Sequence, residues 1–297
     1  MTTEKDYLDM SIEQLKTATS NGDAIAACVL GRAYLTGSSD VAKDVFRGFQ
    51  WIARGAKMPN NALCIYMLAG SFFNGIGVEQ DQARAIKYYK HVFNSIKQRA
   101  TDGEILSQYW LGNYYFYGQG EIAQDQKTAV EWYKKAAEQG LVQAQNILAV
   151  CYHYGHGVTP DIKEAIKWLT QAAEGGDASA QCNLGLNYYN GEGVEQNTET
   201  AVEWFTKAAK RGNPQAQYYL AECYYKGHGI EKDKTKGIEW CMKAAEQGHA
   251  DAQNNLGVFY FHGEGVGQDR TKAVKWWSAA AEQGHAEAKE ALKHIYG

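Results

Sequence analysis

Apolar residues along the chain fall into short blocks with helical spacing, separated by glycine-rich breaks. In residues 143–154, Ala144, Leu148 and Tyr152 stand four apart, which keeps them on one face of a helix. Gly155-His156-Gly157 then interrupts the pattern. Beyond the break, Ala165, Trp168, Leu169, Ala172 and Ala173 follow an i, i+3, i+4, i+7, i+8 stripe, the mark of a second amphipathic helix. Its alanines let a neighbouring helix approach closely, and the tryptophan fills the space beside them. Asp161 precedes this stripe and offers a short acceptor for the helix's first amides. Gly176 follows it, suited to the left-handed conformation that ends many helices. The pattern predicts a helix-turn-helix over residues 141–176.

The same pattern recurs. Gly140, Gly176, Gly212, Gly248 and Gly284 are 36 residues apart, as are Trp132, Trp168, Trp204, Trp240 and Trp276. Asp161 has counterparts in Asp125, Asn197, Asp233 and Asp269. A fixed period of this length predicts an all-α solenoid of stacked helix pairs. Residues 141–176, 177–212, 213–248 and 249–284 are regular units. Residues 102–140 form another with one extra residue in the Gly118–Asp125 loop. Residues 61–101 carry Tyr88 in place of tryptophan, with an extension through His91–Thr101. Residues 23–60 diverge most, with Gly37-Ser38-Ser39 replacing Gly-x-Gly. Residues 1–22 resemble a lone second helix and residues 285–297 a lone first helix. Divergent ends are expected where one face lacks a neighbour. The expectation is one array over residues 1–297, with seven units, two caps and no internal boundary.

The stretch Leu184-Gly185-Leu186-Asn187-Tyr188-Tyr189-Asn190-Gly191-Glu192-Gly193-Val194, with Ala201-Val202-Glu203-Trp204 and Lys207-Ala208-Ala209, closely resembles the Sel1-like repeat, a relative of the tetratricopeptide repeat. The resemblance covers nearly the whole chain. It implies an α/α superhelical solenoid that serves as a non-catalytic adaptor or scaffold for a protein or peptide partner. Some bacterial members of the family guard against toxins, so an immunity protein is a special case of the same reading. An enzyme with an unrecognised site in the groove is the alternative from another class.

Composition narrows the partner. Lys plus Arg total 30 against 34 for Asp plus Glu, a formal net charge of -4, so there is no basic footprint for nucleic acid or an anionic membrane. No apolar run approaches the roughly 18 residues of a membrane span, and the first residues lack a signal-peptide pattern. Six cysteines, Cys28, Cys64, Cys151, Cys182, Cys223 and Cys241, show no CxxC pair and no recurring two-cysteine unit. Buried free thiols in a reducing cytoplasm are expected.

Each chemical motif has a structural explanation. Gly-x-Gly begins at Gly75, Gly118, Gly155, Gly191, Gly227 and Gly263, always after a helix, where a turn is needed; a dinucleotide fingerprint follows a strand. His156 and His228 share a loop position with Glu192 and Glu264, which reads as solvated loop. His153, His249, His262 and His285 form no H-E-x-x-H or Cys/His ligand set, so no metal or cofactor is expected. There is no G-x-S-x-G, and Glu138 and Glu174 at helix ends read as surface.

Function should lie where the units differ. Resemblance to tetratricopeptide packing places the groove-facing positions at five and two before, and two, five and six after, the recurring leucine. The candidate contacts are Tyr109, Asn113 and Phe116, then Asn146, His153 and Tyr154, then Tyr189 and Asn190. Tyr218, Glu222, Tyr225 and Lys226 follow, and Asn254 and Phe261 complete the set. Tyrosine supplies large contact area at little rotamer entropy, and asparagine pairs with both groups of a peptide backbone. Tyr154, Tyr189, Tyr218 and Tyr225 are the expected centre. Tyr152, Tyr188, Tyr224 and Tyr260 are assigned to packing between helices.

Overall fold

The structure, a computed structural model, describes residue 7, residues 10–37 and residues 41–296. Residues 1–6, 8 and 9 of the N-terminal cap, Ser38, Ser39 and Asp40 of the divergent loop, and Gly297 lie outside the described residues. Among the described residues there are sixteen α-helices and no β-strand. They fall into two compact units that divide between Ala165 and Ile166.

The N-terminal unit contains α1 (Ile12–Ser20), α2 (Ala24–Thr36), α3 (Val45–Gly55), α4 (Ala62–Asn74), α5 (Gln82–Thr101), α6 (Ile105–Tyr117), α7 (Gln126–Glu138) and α8 (Val142–Tyr154). Helix α9 (Ile162–Glu174) carries the division. The C-terminal unit contains α10 (Ala178–Asn190), α11 (Thr198–Lys210), α12 (Pro214–Lys226), α13 (Lys234–Glu246), α14 (Ala250–His262), α15 (Arg270–Glu282) and α16 (Ala286–Tyr296). The extension through His91–Thr101 is helical, making α5 a 20-residue helix.

Second helices begin where the sequence predicts, because an acidic or amide side chain caps each one. Asp125, Asn197, Asp233 and Asp269 accept the amides of Thr128, Thr200, Lys236 and Lys272 at 2.9–3.1 Å. Each such cap is worth about 1 kcal/mol. Several first helices are capped too, which the sequence reading missed. Asp177 and Asn213 accept from Ala180 and Ala216 at 2.7 and 2.8 Å. His249 and His285 occupy the same position, with Nδ1 accepting from Ala252 and Ala288 at 3.4 and 3.3 Å.

The Gly-x-Gly turn has two separate requirements, seen after α8. Gly155 lies at φ 76, and its amide closes the helix on Cys151 at 2.9 Å. A Cβ on Gly157 would lie 2.2 Å from the Gln126 carbonyl, so this loop rests against the start of α7 in the preceding repeat. The second glycine permits that approach.

The recurring Ala-Gln pair also stitches successive helices together. Buried Gln108, Gln145, Gln181, Gln217 and Gln253 donate to the carbonyls of Ala100, Ala137, Ala173, Ala209 and Ala245 at 3.0–3.3 Å. Those carbonyls lie in the last turn of the preceding helix, where no intrahelical donor remains. In the C-terminal unit the alanines and leucines of α11 to α14 close the core: Ala208, Ala209, Ala216 and Leu220 in one cluster, Ala244, Ala245, Ala252 and Leu256 in the next.

Candidate functional site

In the N-terminal unit, α6 presents Tyr109 and Phe116, whose rings lie 6.0 Å from the buried Tyr133. Helix α8 presents half-buried Asn146 and His153, and Tyr154, which is 66% exposed. His153 meets Tyr154 edge-on at 4.4 Å, and Tyr154 lies 5.9 Å from His156. Phe116 meets Tyr117 and His156 edge-on at 4.9 and 6.0 Å. Phe116, His153 and Tyr154 thus belong to one aromatic patch. Asn113 does not: it is buried, and its Oδ1 accepts the Tyr133 hydroxyl at 2.8 Å. Its position two residues after the leucine is turned into the core, because the bulky phenol needs an acceptor there.

In the C-terminal unit, Tyr189 is half-buried and Asn190 exposed; the Tyr189 hydroxyl pairs with His228 Nδ1 at 3.0 Å. Asn254 is a second correction. It is buried, with Nδ2 donating to Glu287 at 3.4 Å, so its amide serves the contact between α14 and α16. Phe261 is half-buried, 5.4 Å from Trp277.

Helix α12 brings four predicted residues together. Tyr218, Glu222, Tyr225 and Lys226 line one cavity of about 260 Å³, between α12, α13 and α14. Their spacing of three and four residues puts them on one helical face. Ala221, Gly237, Cys241, Asn255, Val258, Phe259 and Glu264 complete the lining. The Tyr218 ring stacks on His249 at 4.7 Å, and Tyr225 stacks on Phe259 at 5.3 Å. Glu222 pairs with Lys226 at 3.0 Å, and Glu264 with Lys234 at 2.6 Å. The Lys234 ammonium also lies 4.8 Å from the Tyr225 ring centre.

Burial raises the Tyr218 phenol well above its ordinary range, and the charges of Glu222 and Asp251 push it the same way. Burial likewise raises Tyr225. The bond from Lys234 holds the Glu264 carboxyl below its usual value. At neutral pH the site therefore presents two protonated phenols and an ionised Glu264 carboxylate. The sequence reading missed Phe259, Glu264 and Cys241. One signal for Cys241 was available: it follows a recurring tryptophan, where the other units carry Tyr133, Leu169, Phe205 and Trp277.

All six cysteines are free and buried. Burial pushes Cys151 and Cys223 up to about 11, and Cys182 and Cys241 up to about 12, so these thiols are poor nucleophiles at neutral pH. Among the described residues no cluster of three His, Cys, Asp or Glu could hold a metal ion. Among the same residues no helix is long and apolar enough to cross a membrane.

The Sel1 repeat family model matches residues 24–60, 62–90, 105–141, 142–177, 178–213, 214–249 and 250–285. Among solved structures, a protective antigen present in uropathogenic Escherichia coli strains, with an SLR fold, is 34% identical, covering 97% of this chain at a TM-score of 0.65. The match takes in 59% of that antigen's chain. A Sel1 repeat protein from Oxalobacter formigenes is 28% identical over 98% of this chain and 84% of its own, with a TM-score of 0.66. An immunity protein from Pseudomonas aeruginosa is 18% identical over 75% of this chain and 81% of its own, with a TM-score of 0.49.

Proposed function

The chain belongs to the Sel1 repeat family, and from that premise we propose that it is a non-catalytic adaptor that holds a protein or peptide partner against its first helices. The observation that carries this reading is the face of α12. Tyr218, Glu222, Tyr225 and Lys226 differ in kind from unit to unit, yet here they converge on one cavity. Recurring residues such as Ala216 and Leu220 hold the repeat together on the opposite side. Tyrosines with apolar rings and protonated hydroxyls suit an interface that is dry at its centre and wet at its edge. The Glu222–Lys226 pair would orient a partner more than strengthen its binding. The exposed patch around Phe116 and Tyr154 in the N-terminal unit is a second contact surface of the same kind.

The site residues are suited to contact and poorly suited to turnover, since the thiols are buried and protonated. Six reduced thiols also suit a cytoplasmic setting. The formal charge of -4 gives no drive toward nucleic acid or membrane lipid. A toxin-neutralising immunity protein is the special case in which one partner is bound tightly.

Affinity capture with mass spectrometry identifies the partner, and titration of the purified pair gives stoichiometry. The expected result is saturable binding that weakens when Tyr218 and Tyr225 are both replaced by alanine. One partner held tightly marks the immunity case, and two partners bridged at once mark a scaffold. Substrate turnover abolished by changing a single ionisable residue of the site would overturn the adaptor reading.

A further inference from the structure

The residues that follow the recurring tryptophans are Tyr133, Leu169, Phe205, Cys241 and Trp277, and all five are buried. Each of the three large rings faces a glycine on the first helix of its own repeat. A Cβ on Gly112 would lie 2.5 Å from Tyr133, one on Gly185 2.7 Å from Phe205, and one on Gly257 2.5 Å from Trp277. Ring and glycine therefore work as a pair: the missing Cβ makes room for the ring. In residues 141–176 the pair is Leu169 and Ala149, and in residues 213–248 it is Cys241 and Ala221, the smallest side chain of the five facing a methyl group. A thiol and a methyl group together do not fill the volume of a ring, and surrounding structure collapses only partly into such a gap. Both residues line the cavity of about 260 Å³ beside α12. The cavity is the ring position of the repeat, left open.

Its size sets the class of occupant. A cavity of about 150 Å³ suffices for benzene, while drug-sized ligands occupy about 300–1,000 Å³. The space here fits one large aromatic side chain. Its walls are apolar, with Val258, Phe259, Cys241 and the ring of Tyr218. Beside the hydroxyls of Tyr218 and Tyr225 and the Asn255 amide, its polar groups include the acceptors Glu222 and Glu264. Lys226 is engaged by Glu222, and Lys234 by Glu264, whereas each carboxylate has lone pairs to spare. Asp251 adds a further negative charge beside Tyr218. This field complements an aromatic group whose edge carries a hydrogen-bond donor.

We propose that the cavity of Tyr218, Val258, Phe259 and Cys241 is an anchor site for one tryptophan side chain of a protein partner, the indole ring entering where three other repeats place their own ring and its N–H donated to Glu222. The proposal rests on the adaptor reading. It assigns that partner one defining feature, a protruding tryptophan.

The test uses the full chain and N-acetyl-tryptophanamide as the probe, followed by NMR shifts of the residues lining the cavity. Saturable shifts at Tyr218, Val258 and Phe259 are expected, about tenfold weaker with the 1-methylindole analogue, which lacks the donor. The variant Ala221→Gly/Cys241→Phe restores the ring-and-glycine pair and should stay folded with binding lost. Glu222→Leu should keep weak binding but erase the preference for indole over 1-methylindole. Absence of saturable shifts at the cavity would overturn the proposal, as would undiminished binding by the filled variant. An N-acetyl-leucinamide probe that binds as well as the tryptophan probe would also overturn it. If the filled variant loses the probe yet captures the same partner equally well, the anchor assignment falls while the adaptor reading stands. If probe binding behaves as expected but no protein partner is captured saturably, the adaptor reading falls and with it the partner, though the cavity's chemistry holds.

Discussion

The repeats at 177–212 and 213–248 share a backbone plan, and among their differences one matched core pair stands out. In the first, Phe205 is fully buried against Gly185, and the ring would lie 2.7 Å from any added Cβ. In the second, Cys241 faces Ala221, and a cavity of about 260 Å³ opens beside them. Their second helices start alike, with Asn197 capping Thr200 at 2.9 Å and Asp233 capping Lys236 at 3.0 Å. Both turn after their first helix on a left-handed glycine, Gly191 or Gly227. The frame is thus independent of what fills the middle. A repeat protein can trade one core ring for an opening, because the stacking of alanines and leucines on either side carries the fold.

Moving the opening is the strongest way to break this comparison. Phe205→Cys should remove a fully buried ring and lower stability by about 3 kcal/mol, read by urea denaturation. An unchanged midpoint would mean that the ring position contributes little in either repeat. Replacing Tyr218 and Tyr225 with alanine should weaken partner binding by about 1–4 kcal/mol, measured by calorimetry. Folding should survive, with some loss from the Tyr225–Phe259 stack. Tyr224→Ala is the contrast, since Tyr224 packs on the cluster around Phe205; it should lower the melting temperature and leave affinity unchanged.

Filling the opening sharpens the comparison. Cys241→Phe alone should destabilise by about 1–3 kcal/mol through overpacking on Ala221, and adding Ala221→Gly should recover most of that loss. Thermal melts of the single and double variants give both numbers. Recovery by Ala221→Gly identifies the pair as the unit of packing, and no recovery would dissolve it.

The smallest effect concerns the caps. Asn213 caps α12 with a side chain that does not titrate, whereas His249 caps α14 through an unprotonated Nδ1. Burial lowers the His249 pKa below its ordinary value, with Asp251 opposing. Below about pH 6.5 the unfolded chain takes up this proton more readily than the folded chain, so stability is lost as pH falls. Above that range the contribution is fully present. Melting from pH 7 to pH 5 should show a shallower decline for His249→Asn than for the parent chain.

Much of this was legible in the chain itself. The 36-residue spacing of glycine and tryptophan located the repeats, and Asp125, Asn197, Asp233 and Asp269 marked the second helices. These features are local, set by helix period and by capping within three residues. Four of the candidate contacts, Tyr218, Glu222, Tyr225 and Lys226, converge because α12 alone places them on one face. Asn113 and Asn254 escaped that logic. Their exposure depends on Tyr133 and Glu287, which lie 20 and 33 residues away in sequence. His249 and His285 read as isolated histidines until their ring nitrogens were seen on the amides of Ala252 and Ala288.

The sequence by itself determined the period, the helix pairs, the turns and the family, because each follows from patterns shorter than one repeat and copied along the chain. Only the tertiary structure decided which variable residues are open. Cys241 is an ordinary small core residue within its own helix. It becomes the wall of a cavity because Ala221 faces it from α12 while Val258 and Phe259 close the space from α14, in the next repeat. Unfilled volume belongs to no single residue: it is what remains after three helices, each correct on its own, have packed as closely as their side chains allow.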